Sequence, residues 1–200
     1  GKYYFFPILE GLAKNTYDPE SFMPDGDGVM HYYVNGERAS RKGIDVSRYQ
    51  DKIDWEKVAS DEVDYAFIRL GIRGYTEGEI MEDETFQDNI EGALKNDIDV
   101  GVYFFTQAMS EEEAEEEAGF VIESIAPYKV EYPVVIDVEA VTSTNARGND
   151  LTSAERTKYC ITFCEKIKEA GYTPMIYGNL KTFTLLLDIK ELEAYDKWFA

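Results

Sequence analysis

The chain has 200 residues, enough to bury a full core in one domain with an appendage. It is 44% hydrophobic and 14% aromatic, and its 40 acids against 20 bases leave a net charge of −20. That balance lacks the basic footprint a phosphate backbone or an anionic membrane surface requires, so nucleic acid is excluded as a partner class. No run of about 20 apolar residues is present, so no membrane insertion is expected within this chain.

The chain opens Gly1-Lys2-Tyr3-Tyr4, without an initiator Met or a signal-peptide pattern, as expected of a processed or trimmed start. Residues 1–40 mix aromatics with turn formers and show no long period; an N-terminal extension or small β element is predicted. Val29–Val34 followed by Asn35-Gly36 predicts a strand entering a tight hairpin turn. Asp25-Gly26-Asp27-Gly28 has the acid spacing of a calcium loop but lacks its remaining ligands and closing Glu, so a plain turn is expected. From residue 41 a main α/β domain is predicted to run to residue 200. Strands are expected at Ile44–Val46, Asp64–Leu70, Asp99–Thr106, Pro133–Glu139, Thr173–Tyr177 and from Lys197 onward. Helices are expected at Trp55–Ser60, Glu84–Asn96, Ser110–Ile125, Ser153–Ala170 and near Leu180–Leu187. Ser110 reads as an N-cap, and Gly171 as the terminator of the Ser153–Ala170 helix. The acid run Glu111–Glu117 reads as a solvated helix face. Cys160 and Cys164, one helical turn apart, read as core-facing thiols; no metal site is expected from them.

Strands alternating with helices imply a parallel sheet buried on both faces. An open doubly wound sheet and an incomplete barrel both fit, and no Gly-rich nucleotide fingerprint supports the former. In either case the C-terminal strand ends form the functional face. Pro133-Val134-Val135-Ile136-Asp137-Val138-Glu139 is the most informative segment: an apolar strand that ends in two acids. Side chains alternate along a strand, so Asp137 and Glu139 share a face. Two carboxylates there are costly to desolvate, and they are what breaking a glycosidic bond requires. Asp45 adds a third acid at the first strand. Arg69 and Arg73 lie at the second, Tyr103, Phe105 and Gln107 at the third, and Tyr177 and Asn179 after the fifth. Aromatic rings offer platforms for sugar faces, while acids and amides bond hydroxyls.

Gly43-Ile44-Asp45-Val46-Ser47-Arg48-Tyr49-Gln50, with Ile53-Asp54-Trp55 after it, resembles the opening signature of glycoside hydrolase family 25 lysozymes, the muramidases. Phe67–Gly71, Phe86–Asn89, Gly101–Phe105 and Pro133–Glu139 follow in that family's order. The resemblance spans residues 43–200. It implies an irregular, flattened β/α (TIM-like) barrel that hydrolyses the β-1,4 bond from N-acetylmuramic acid to N-acetylglucosamine in peptidoglycan, outside the cytoplasm, in a bacterial extracellular or cell-wall setting. It also implies Glu139 as general acid, Asp137 as the stabilising carboxylate and Asp45 as a supporting acid, with no cofactor. The candidate substrate-binding residues are Tyr103, Phe105, Tyr177, Arg69 and Asn179. The family pattern carries one further Asp near its last strand, with no counterpart before Ala200. The expectation is therefore a barrel lacking its C-terminal strand.

For Glu139 to donate a proton its pKa must rise, and burial beside an ionised Asp137 would raise it. Positions two apart on a strand lie about 6.6 Å apart at Cα, which fits both retaining and inverting carboxylate separations; the resemblance favours retention. The competing class is a non-catalytic glycan-binding module on the same fold. A chitinase-like barrel is disfavoured, because Val135 and Pro133 occupy the positions before Asp137 on its face where such enzymes carry more acids.

Overall fold

The computed structural model describes residues 3–200. It builds two sheets. The first is small and antiparallel, with β1 (Phe22–Pro24), β2 (Met30–Val34) and β3 (Glu37–Arg38) side by side in that order. Asn35 and Gly36, both at positive φ (53° and 84°), make the predicted tight turn between β2 and β3. The Asp25 carboxylate serves the preceding turn: Oδ1 accepts from the backbone N–H groups of Asp27 and Val29, both at 2.9 Å, and Oδ2 meets His31 Nε2 at 3.0 Å. Strand β1 is too short to show a period in the sequence.

The main sheet follows with β4 (Gly43–Val46), β5 (Tyr65–Arg73), β6 (Ile80–Glu82), β7 (Asp99–Phe105), β8 (Val134–Asp137), β9 (Pro174–Gly178) and β10 (Asp196–Phe199). The helices between them are α1 (Trp55–Ser60), α2 (Phe86–Lys95), α3 (Glu111–Ile125) and α4 (Ser153–Glu169). The strand order is β10-β9-β8-β7-β5-β4, parallel throughout, with β6 antiparallel on β5. The sheet curls. The rings of Phe67 on β5 and Trp198 on β10 stack at 4.8 Å although three strands separate them in the order. This is a parallel half-barrel; among the described residues β4 and β10 do not pair with each other.

Alternation sorts the side chains between the two faces. Ile68, Leu70, Val102, Phe104, Val134, Ile136 and Ile176 point outward, fully buried, into a core shared with Ile90 and Ala93 of α2, Val121 and Ile125 of α3, and Cys160, Phe163, Cys164 and Ile167 of α4. Phe67, Arg69, Tyr103, Phe105, Asp137, Tyr177 and Trp198 take the opposite parity and face the concave side. Gly101 belongs to that set because a Cβ there would lie 2.4 Å from the Phe67 ring.

The start of α4 at Ser153 matches the sequence reading, and Thr152 caps it: its hydroxyl accepts from Glu155 N–H at 3.2 Å while Glu155 Oε2 accepts from Thr152 N–H at 2.8 Å. The helix expected near Leu180–Leu187 is a single π-helical turn, Thr182–Leu186. The acid run on α3 is not wholly solvated. Glu117 is completely buried, because the α3 face that turns inward meets Arg73 at the end of β5. No helix of the described residues is long and apolar enough to cross a membrane.

Candidate active site

The C-terminal ends of the parallel strands converge on a cleft of about 210 Å³, lined by Asp45 (β4), Tyr103 (β7), Asp137 and Glu139 (β8 and just beyond), Tyr177 (β9), Trp198 (β10) and Ala200. Ladder register explains the grouping. Phe105, Asp137, Tyr177 and Trp198 are successive partners across four strands, so their side chains leave the sheet on one side at one height.

The strand carrying the acids is held on both flanks. Thr106 N–H donates to the Asp137 carbonyl at 3.1 Å and Val138 N–H to the Tyr177 carbonyl at 3.2 Å. The Val138 carbonyl accepts from the Thr182 hydroxyl at 2.9 Å. Sheet pairing of β8 ends at Asp137, so Glu139 stands past the strand, half-buried at the mouth. Asp137 is 9% exposed, and its Oδ1 is buried with no hydrogen-bond partner.

These positions reverse one expectation. Burial was expected to raise the pKa of Glu139; instead it acts on Asp137. Desolvation first, then the neighbouring charges of Glu139 and Asp45, push the Asp137 carboxyl up to about 8, against the pull of Arg69. The strand end places Asp137 against the sheet interior and leaves its neighbour toward solvent. Around the acids, burial pushes the Tyr103 hydroxyl up to about 12. Tyr177 is raised as well, by burial and then by the charges of Glu139, Asp137 and Asp45.

Five of the sequence candidates therefore meet in one cleft: Asp45, Asp137, Glu139, Tyr103 and Tyr177. Three do not line it. Arg69 donates from Nε to Asp83 Oδ2 at 2.6 Å and lies 5.0 Å from the Tyr49 ring centre, reaching the acids through its charge alone. Phe105 neighbours Asp137 in the ladder but stays outside the lining. Asn179 is occupied in starting the π turn, its Oδ1 accepting from Thr182 N–H at 3.1 Å. Arg73 turns away to Glu117, to which its Nε donates at 2.8 Å; Gln107 gives Glu117 its backbone N–H at 3.4 Å while its side-chain Nε2 donates to the Thr106 carbonyl at 2.7 Å.

Trp198 was missed as a site residue. It packs edge-on to Tyr177 at 4.8 Å and to Tyr103 at 6.5 Å, forming the far wall. Its parity on the last strand matches that of Tyr177, which is the signal that could have identified it. Among the described residues no cluster of three or more His, Cys, Asp or Glu is arranged to hold a metal ion. What the cleft offers is acid–base chemistry: two adjacent carboxyls, one able to carry a proton at neutral pH, between aromatic walls.

The sequence profile of Glycosyl hydrolases family 25 matches residues 44–200. The Escherichia coli (strain K12) protein YegX is 31% identical over 144 residues, 68% of this chain and 47% of its own length. A lysozyme of Streptococcus phage Cp-9 is 39% identical over 87 residues, 43% of this chain and 23% of the lysozyme. The modular autolysin LytC of Streptococcus pneumoniae superposes with a TM-score of 0.72 at 27% identity, over 90% of this chain and 42% of the autolysin; it has also been solved in complex with a synthetic peptidoglycan ligand. The chain thus spans about half the length of YegX. The acid-bearing strand, the curled parallel sheet and a match covering the whole of that sheet lead to one conclusion: this chain belongs to glycosyl hydrolases family 25.

Proposed function

We propose that this chain hydrolyses the β-1,4 glycosidic bond between N-acetylmuramic acid and N-acetylglucosamine in bacterial peptidoglycan, and so acts outside the cytoplasm. The observation that carries the reading is the Asp137–Glu139 pair at the end of β8, with one carboxyl buried and unpartnered and the other at the mouth of the same cleft. Family membership and the likeness to a phage lysozyme and a pneumococcal autolysin support it.

In this reading Glu139, nearer to solvent, protonates the leaving glycosidic oxygen. Asp137 stabilises positive charge developing at the sugar. In the free cleft burial favours a proton on Asp137. When the 2-acetamido N–H of a bound sugar reaches the unpartnered Oδ1, Asp137 gains a donor that favours its ionised form. Asp45 supports the constellation from β4. Trp198, Tyr177 and Tyr103 form the sugar-facing walls.

Clearing of a bacterial cell-wall suspension, measured beside a pull-down on the same walls, tests the reading. Clearing with release of muramic acid reducing ends is expected. Binding without clearing would make the chain a glycan-binding module instead. Proton NMR of the first product should show the β anomer; an initial α anomer would remove the retaining course.

A further inference from the structure

Behind Glu139 lies a second, smaller space. It is a cavity of about 20 Å³ between the end of β8 and the start of α4, bordered by Glu139, Gln107, Gly148, Arg156, Tyr159 and Cys160 among others. That volume holds one water molecule. Arg156 is anchored at its edge: Nη2 donates to the Gly148 carbonyl, while Nε is buried with no hydrogen-bond partner. Among the described residues Arg156 forms no ion pair, although the chain carries 40 acids. A buried guanidinium without a carboxylate is costly; accordingly burial lowers the pKa of Arg156. The carboxylate that borders the same cavity is Glu139.

We propose that Arg156 is the positioning residue for Glu139: its guanidinium, fixed by the Gly148 carbonyl, holds the carboxyl of Glu139 toward the cleft through one water in the shared cavity. This rests on the reading of Glu139 as proton donor. Gly148 and Gln107 complete the cavity wall, so the 140–152 loop, which leaves from Glu139, returns to brace the residue from behind. The groups that face Glu139 are Asp137 on its own strand, Asp45 from β4, Tyr103 from β7 and Tyr177 from β9 on the cleft side, and Arg156, Tyr159 and Cys160 from α4 on the cavity side. Arg156 is the one cation in that set.

The experiment compares the pH dependence of kcat and KM on purified peptidoglycan fragments for the parent chain, Arg156→Met, Arg156→Lys and Gly148→Ala, with a thermal melt for each. In Arg156→Met the alkaline limb of the kcat profile should move up by about one pH unit, because a lost cation disfavours the ionised acid. Its kcat should fall about tenfold with KM held within twofold, as expected when transition-state positioning is lost. Arg156→Lys, which keeps the charge, should restore the limb. Gly148→Ala is the mild probe. Its added Cβ would lie 3.5 Å from Arg156 Nη1 and 3.6 Å from Gln107 Oε1, ordinary contacts, so it folds while filling part of the cavity. It should move the limb in the same direction by less. A limb that stays in place in Arg156→Met overturns the proposal, as does equal loss in the Met and Lys variants; if Arg156→Met does not fold, an unmoved limb in Gly148→Ala overturns it. Glu139→Gln separates the two readings. If it keeps activity, the donor assignment fails; if it is inactive while the limb stays fixed in the other variants, only the role of Arg156 fails.

Discussion

Glu117 and Asp137 are both buried carboxyls, and they differ in what surrounds them. Glu117 on α3 is fully partnered: it accepts from Arg73 Nε at 2.8 Å, from the Thr106 hydroxyl at 2.6 Å and from Gln107 N–H at 3.4 Å. Arg73 itself also donates to the Gly78 carbonyl at 2.6 Å and to Glu116 at 2.6 Å. Asp137 has only the charge of Arg69 in its favour, and its Oδ1 has no partner. Burial pushes both up, Glu117 to about 7 and Asp137 to about 8. Burial alone therefore does not mark a reacting group. Unmet hydrogen-bonding capacity facing a cleft does, because a ligand can supply what the fold withholds.

Substitution should separate the two carboxyls. Asp137→Asn is expected to lower turnover at least a hundredfold, the scale of a lost acid–base or charge-stabilising group, with the fold intact. Retained turnover in a peptidoglycan digestion would end the paired-acid reading. The same variant has a stability signature. The folded pKa of Asp137 lies above its unfolded value, so its contribution is fully present below about pH 4 and is lost as pH rises through about 8. Denaturant melts across pH 6–9 should therefore fall less steeply for Asp137→Asn than for the parent; parallel curves would remove the raised pKa.

At Glu117 the expected loss is structural. Glu117→Leu takes from Arg73 its fully buried partner, leaving it the exposed Glu116, and should cost about 3–5 kcal/mol, read from urea midpoints. Adding Arg73→Met should recover most of it, since an apolar pair avoids the stranded charge. If the double variant is no more stable than Glu117→Leu, the ion pair is not what the site needs. Trp198→Ala should raise KM about tenfold with a smaller effect on kcat, as expected for a wall that binds the sugar without reacting. Thr152→Ala, remote from the cleft, should cost only about 1 kcal/mol and leave kinetics unchanged.

The same contrast explains what was legible in the sequence. The six parallel strands announced themselves as apolar runs, and parity along Val134–Glu139 correctly put Asp137 opposite the Ile136 face. Asp45, Tyr103 and Tyr177 were reachable because each ends or lines a strand whose C-terminal end must face the site. Glu117 was not, since in Glu111–Glu117 nothing local distinguishes the one acid that turns inward to Arg73, 44 positions earlier. Which of the two acids is the more buried was hidden for a similar reason: it depends on where β8 stops pairing, and Val138 and Glu139 continue the same alternation without marking that stop. Strands β1 and β6, each of three residues, are shorter than any period can reveal.

The most direct test is the release of muramic acid reducing ends from purified peptidoglycan by the parent chain and by Glu139→Gln, with thermal melts of both. The account predicts release by the parent, none above background from the variant, and superimposable melts. Equal release by a folded Glu139→Gln would contradict it.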